Sequence, residues 1–315
     1  MLVASQTGAI VPHIWVVGSA SVDQMVRLPS LPRPGEAVAG GEIRSVMGGK
    51  GANQAVAAAR IGGSVAFIGA VGADDSGELV RSELKAAGID VSRLAISSRP
   101  TARALGMIDA TSGQNMWGID SGANLDVGAG AVSRALESAR PSDVVTAVNE
   151  IPADAVLAAA RASRAAGCRF VFNAAPGRPM DWELASLCDV LIVNEVEIHQ
   201  LGYEGEDELL EAGAGLVVVT LGRAGAVAYE RTGLVDRASA LGVDVVDATG
   251  AGDAFVGAYV VALAEGLPRS TALWWGVAAG SLACRSIGPR ASLPNREELL
   301  AHLSPDLGGE RTSHP

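Results

Sequence analysis

The chain has 315 residues, with 24 Lys plus Arg against 35 Asp plus Glu and a formal net charge of −11. A hydrophobic share of 49% with 19% charged residues excludes disorder throughout and supplies a core for one large α/β domain or two smaller ones. Acidity of this size repels phosphate backbones and no basic stripe offsets it, so nucleic acid is not an expected partner.

Met1–Pro12 has no basic start and no long apolar core, and no run of about 18 uncharged apolar residues occurs anywhere, which predicts a cytoplasmic protein with no membrane partner. Residues 1–13 and 305–315 are expected to be flexible ends around a domain over 14–304. Short β-branched runs at 14–17, 65–68, 144–148, 170–172, 190–193 and 216–220 read as core strands. Ala-rich helical stretches at 52–61, 77–87, 153–166 and 195–201 lie between them. This alternation predicts one open, mostly parallel α/β sheet covered by helices. Two segments break the rhythm. Residues 23–46 carry the turn-rich LPSLPRPGE, and 102–120 read as a hairpin turning at Thr111-Ser112-Gly113, so both are candidate strands standing off the main sheet. Three successive helices are expected at 251–264, 271–284 and 296–303. Cys168, Cys188 and Cys284 are far apart in apolar surroundings and read as buried free thiols. The Trp274-Trp275 pair reads as core packing, and the four histidines form no triad or metal pattern.

Two glycine clusters open helices. Gly48-Gly49-Lys50-Gly51-Ala52-Asn53 lets backbone approach a ligand at a helix start, with Lys50 and Asn53 as side-chain donors; a plain tight turn is the alternative. Lys50 is one of only two lysines in the chain. In Asp247-Ala248-Thr249-Gly250-Ala251-Gly252-Asp253, small residues can form a nest of N–H groups for a developing anion. Asp253 beside that nest can take a proton from an alcohol, or can simply cap the helix. Polar residues also end the strands, at the ligand edge of such a sheet: Asp23, Glu150, Asn194 with Glu197, and Thr220 with Gly222. Each alone reads more readily as a loop residue or cap, and it is their shared placement that favours a ligand edge.

In order along the chain, VVGSASVDQMVRLPSLPRPGE, GGKGANQAVAAARIG, VGADDSGELVRSELKAAGID, SGANL, VNEVE, VTLGRAG, DATGAGDAF and SIGPRASLP resemble the ribokinase (PfkB) family of carbohydrate kinases over about 14–303. The resemblance implies a central mostly parallel sheet with helices on both faces and a small β lid made by 23–46 and 102–120, which also forms a homodimer contact. It implies ATP-dependent phosphorylation of the primary 5-hydroxyl of D-ribose, with Mg2+ and a K+-like activating ion. By position, Ser21, Asp23, Gly49, Lys50, Asn53 and Glu150 are expected around the sugar. Asp253 is expected as base and Gly250, Ala251 and Gly252 as anion hole. Thr220, Gly222, Gly225 and Gly252 would meet the nucleotide, with Asn194 at the phosphates and Glu197 ordering magnesium through water. Asp247, Thr249, Ala283, Ser286, Gly288 and Ser292 match the monovalent-cation positions.

Two positions differ from the family pattern. Ser21 stands where an Asn that contacts the sugar is usual, and Ala248 where Thr, Ser, Pro or Val is common. Ser21 opens an alternative acceptor: 2-deoxyribose, another sugar or a ribonucleoside. A dinucleotide-binding oxidoreductase is disfavoured because no GxGxxG follows the first strand. A non-catalytic sugar-binding protein is disfavoured by retention of Asp253 with its glycines.

Overall fold

Apolar runs that are hydrophobic at every position, rather than at alternate ones, demand burial on both faces, and that is how the strands pack. In the computed structural model, which describes residues 11–112, 114–286, 288 and 293–302, the first is β1 (His13–Val17). The chain then makes β2 (Ser21–Leu28) and β3 (Ile43–Gly48), returns through α1 (Lys50–Arg60), β4 (Ser64–Gly72), α2 (Asp75–Ala86) and β5 (Asp90–Ser97), and leaves again as β6 (Ala102–Asp109) and β7 (Asn115–Asp120). After α3 (Ala129–Leu136) come β8 (Val144–Val148), α4 (Ala153–Ala166), β9 (Arg169–Asn173), α5 (Trp182–Leu187) and β10 (Val190–Asn194). Next follow α6 (Glu195–Leu201), α7 (Glu206–Glu211), β11 (Val217–Thr220), β12 (Ala226–Glu230) and β13 (Gly233–Ala238). Three helices finish the described chain: α8 (Ala251–Ala264), α9 (Arg269–Ala283) and α10 (Arg296–Leu300).

The main sheet has nine strands in the order β13-β12-β11-β10-β9-β8-β1-β4-β5, parallel from β11 to β5 and antiparallel at the β12–β13 edge. Alternate residues feed opposite cores: Ile14 and Val16 face α1, α8 and α9, while Trp15 and Val17 face α3 and α4. From β1 the chain builds outward through β4 and β5, then crosses to β8 and builds the other way. The carboxyl ends of β1 and β8 are therefore the switch point, where an open α/β sheet leaves a crevice.

Segments 23–46 and 102–120 do stand off as a second sheet, ordered β3-β2-β6-β7, parallel only between β2 and β6. At its hairpin the Asp109 carboxylate accepts the N–H groups of Thr111 and Ser112 at 2.8 Å each; Gly113, expected in the same turn, lies outside the described residues. The expected helices are present, some with shifted ends, and α3, α5 and α7 were not expected. Helix α2 begins two residues early because Asp74 Oδ1 accepts the Gly77 N–H at 2.8 Å. Helix α1 also begins two residues early, at Lys50, because a carboxylate distant in sequence caps it: Glu150 Oε2 accepts the Lys50 N–H at 2.9 Å. Helix α10 ends at Leu300, and residue 303, expected to close it, is outside the described residues.

Trp275 is buried, with the Arg296 guanidinium 5.2 Å from its ring centroid, so the expected core role holds. Cys168 and Cys188 are buried free thiols; Cys284 is only half-buried, because it caps the C-terminal end of α9. No helix among the described residues is long and apolar enough to cross a membrane.

Helix α8 is apolar all round because it is enclosed between α1 and α9. It crosses α1 where Gly257 lies against Ala57: a Cβ on Gly257 would sit 2.5 Å from that of Ala57. One turn earlier on each helix, the same close approach brings Asp253 onto Asn53 and Gln54.

Candidate active site

At the switch point a cavity of ≈ 440 Å³ opens between the main sheet and the lid. Its floor is the start of α1 and of α8, with Gly49, Lys50, Asn53, Gly250 and Asp253; Asn149 and Glu150 wall it after β8, and the lid closes it with Ser21, Asp23, Ala104, Trp117 and Ile119. The six residues expected around a sugar and the expected base thus share one cavity, although they come from four separate segments.

Asp253 is only 6% exposed, in the first turn of α8. Oδ2 accepts from Asn53 Nδ2 and Oδ1 from Gln54 Nε2, each at 3.1 Å. Burial dominates its titration and pushes the carboxyl up to about 6, against the Lys50 ammonium and the two amides, with Glu150 adding to the rise. A carboxylate held near neutrality is suited to taking and returning a proton. Gly250 precedes the helix in the left-handed region, φ 81°, a conformation glycine adopts without a Cβ clash. The Ala251 N–H donates to the Ala248 carbonyl at 3.2 Å, whereas the N–H groups of Gly252 and Asp253, in the first turn, have no partner within the helix.

Opposite Asp253, Lys50 is half-buried. Burial opposes its charge, but the carboxylates of Asp253, Glu150 and Glu197 outweigh that and raise its pKa. Glu150 is held by the Ser19 hydroxyl, which donates to Oε2 at 2.5 Å, and by the Lys50 N–H. The Ser19 hydroxyl in turn accepts the Gly51 N–H at 3.3 Å, so β1, α1 and the end of β8 are tied at one point. On the lid strand, Ser21 Oγ donates to Asp23 Oδ1 at 2.7 Å. Gly48 faces that carboxylate: a Cβ there would lie 2.1 Å from Asp23 Oδ2.

The expected phosphate side lies at the ends of β10 and β11, where Asn194 and Thr220 pair across the sheet. Asn194 and Glu197 form a reciprocal capping box at the start of α6, Oδ1 accepting the Glu197 N–H and Oε2 accepting the Asn194 N–H at 2.8 Å each. Burial raises the Glu197 pKa against the Asn194 N–H and Lys50. Gly222 and Gly225 both have positive φ, and a Cβ on Gly225 would lie 2.0 Å from the Ala238 carbonyl oxygen, so that turn needs glycine. Beyond it, Asp247 Oδ1 accepts the Thr249 N–H and Oδ2 the Gly288 N–H, each at 2.9 Å, while its own N–H donates to the Cys284 carbonyl. Burial works to raise the Asp247 pKa, but these N–H groups hold it below the ordinary value. Asp247, Thr249, Gly288 and the α9 end with Ala283 therefore converge, with Ser286 two residues before Gly288; Ser292 lies outside the described residues. Among the described residues no group of three or more His, Cys, Asp or Glu gathers as a metal cluster.

Sequence reasoning missed Ser19, Gln54, Asn149 and Arg178. Arg178 Nη2 donates to Asn149 Oδ1 at 2.8 Å and to the Ile151 carbonyl at 2.9 Å, bracing the wall beside Glu150. Gln54 stands on the Ala-rich buried face of α1, where amides are rarely left without a partner, but its partner Asp253 is far along the chain. Arg178 gave no signal, standing in an ordinary Pro-Gly turn.

The pattern of the pfkB family carbohydrate kinases matches residues 11–296. A ribokinase of Haemophilus influenzae is 34% identical over 299 residues, covering 91% of this chain and 97% of the relative. Among solved structures, a ribokinase of Thermotoga maritima aligns with a TM-score of 0.83 at 31% identity, over 92% of this chain and 98% of that one. An Arabidopsis thaliana ribokinase complexed with ribose and ATP aligns with a TM-score of 0.80 at 29% identity, over 92% and 97%.

Proposed function

This chain belongs to the pfkB family of carbohydrate kinases, and from that premise we infer that it transfers the γ-phosphoryl group of ATP to the primary 5-hydroxyl of D-ribose, giving ribose 5-phosphate. The observation that carries the reading is Asp253: a buried carboxylate held near neutrality, facing a sugar-sized cavity from the first turn of a helix whose N–H groups open toward the same cleft.

In this reading Ser21, Asp23, Gly49, Lys50, Asn53 and Glu150 hold the sugar hydroxyls, and the 5-hydroxyl meets Asp253. Asp253 takes the hydroxyl proton as the oxygen attacks the γ-phosphorus, and the N–H groups around Gly250, Ala251 and Gly252 stabilise charge on the transferring oxygens. Thr220, Gly222, Gly225 and Gly252 contact the nucleotide, with Asn194 at its phosphates. Magnesium, when bound, neutralises phosphate charge; Glu197 suits it as an orderer of water, because one carboxylate oxygen is already committed to the capping box. A K+-like ion suits Asp247, whose lowered pKa keeps it charged, with carbonyl oxygens around Thr249, Ala283, Ser286 and Gly288 as companions and the Ser292 side chain as the expected further ligand. The lid shields the reaction from water and joins two copies of the chain. The protein works in the cytoplasm, where ATP is supplied and its three thiols stay reduced.

A second reading keeps the chemistry and changes the acceptor. Ser21 offers no side-chain amide and its one hydroxyl donates to Asp23, which favours 2-deoxyribose, another sugar or a ribonucleoside. ADP release measured over a panel of pentoses, hexoses and ribonucleosides separates the two. Ribose is expected to give the highest kcat/KM; a ribose value well below another member overturns the ribose assignment.

A further inference from the structure

We propose that Gln54 is a positioning residue for phosphoryl transfer, its side-chain amide fixing the Asp253 carboxylate in the orientation that receives the hydroxyl proton. This rests on the reading of Asp253 as the base. Gln54 is 1% exposed, and its Nε2 donates to Asp253 Oδ1 at 3.1 Å, while the neighbouring Asn53 Nδ2 donates to Oδ2 at the same distance. Successive helical residues point about 100° apart, so two consecutive amides grip the carboxylate from two directions and stop its rotation. Asp253 itself lines the cavity.

The two amides are not equivalent. Asn53 lines the cavity and Gln54 does not, so Asn53 can meet substrate while Gln54 acts only through Asp253. The backbone enforces the arrangement: Gln54 O lies 3.0 Å from where a Gly257 Cβ would stand, at the close crossing of α1 and α8. Burying an amide is costly, and Gln54 Oε1 has no hydrogen-bond partner among the described residues. With Nε2 donating and Oε1 unpaired, the amide is committed to the ionised carboxylate.

The charged groups acting on Asp253 are Lys50 from the start of α1 and Glu150 from the end of β8. Against that background the Gln54 amide favours the ionised carboxylate, so its removal moves the acid limb of kcat/KM to higher pH. The test compares Gln54→Met, which keeps the volume without the amide, and Gln54→Glu, which places a second carboxyl on Asp253. The acceptor is the sugar that ranks first in the panel. Gln54→Met is expected to lower kcat about tenfold or more with KM for sugar and ATP within about twofold, and to shift the acid limb upward. Gln54→Glu is expected to shift it upward as well, through like-charge repulsion. Sugar binding by calorimetry establishes that the pocket is folded; if Gln54→Met does not bind, the near-isosteric Gln54→Glu decides by the same limb. Wild-type kcat and an unmoved acid limb in a folded variant, or a loss confined to KM, overturn the proposal. Asp253→Asn run in parallel separates the failures: an active Asp253→Asn removes the base assignment itself, whereas an inactive one beside a normal Gln54→Met removes only the role of Gln54.

Discussion

Asp253 sets proton chemistry against stability. Its carboxyl titrates at about 6 in the folded protein against the ordinary 3.8, mainly through burial. The unfolded chain therefore releases this proton first as pH rises, and the native state is left holding a group that resists ionisation. The contribution to stability is fully present below about pH 4 and is lost as pH rises through about 6, by at most about 3 kcal/mol. Asp253→Asn is accordingly expected to melt above the wild type at pH 8, with the gap closing near pH 4, as read by scanning calorimetry. An equal gap at both pH values would contradict the assignment of a buried charge. Much of the site was legible in the residues themselves: Lys50, Asn53, Glu150 and Asp253 sit at helix starts and strand ends, where ligands bind. Gln54 and Ser19 were not, because their partners, Asp253 and Glu150, lie far along the chain and only the α1–α8 crossing and the β1–β8 junction bring them together.

That crossing is a property of two elements rather than of one residue. Gly257 lets α8 lie directly on Ala57 of α1, and its missing Cβ is what allows Asp253, one turn away, to reach both amides. Gly257→Val is expected to destabilise the protein by about 1–3 kcal/mol through overpacking and to lower kcat as well, because the helices can separate only by loosening the grip on Asp253. Thermal melts and turnover measured on the same preparation check this; a stable variant with normal turnover would show that the close contact is not what places the base. The helices α4, α6 and α8 were readable to the residue, and the core strands to within a few residues, since both-face burial leaves continuous apolar runs. Strand β5 and the β12–β13 hairpin were not read, because they are edge elements whose exposed positions interrupt the apolar pattern. The early starts of α1 and α2 depend on capping carboxylates, in one case 100 residues away.

At the scale of the whole molecule, Ile43, Leu105 and Met116 are exposed on the lid strands, on the face turned away from the cavity that Ile119 lines. A dimer through this sheet is expected by light scattering, with Leu105→Glu combined with Met116→Glu giving monomers; a wild-type monomer at micromolar concentration would contradict it. The net charge of −11 also takes on a different sense. It does not bar a polyanion such as ATP, because in the proposed site phosphate is met by backbone N–H groups and bound cations rather than by a basic surface. In the proposed reaction one act unites the molecule, transfer of a phosphoryl group to a sugar hydroxyl whose proton passes to Asp253. The direct test is turnover of ribose and ATP by Asp253→Asn, with ribose binding measured by calorimetry in the same variant. Loss of about 10²–10⁴-fold in kcat with binding retained is the predicted result; near-wild-type turnover with intact binding would contradict it.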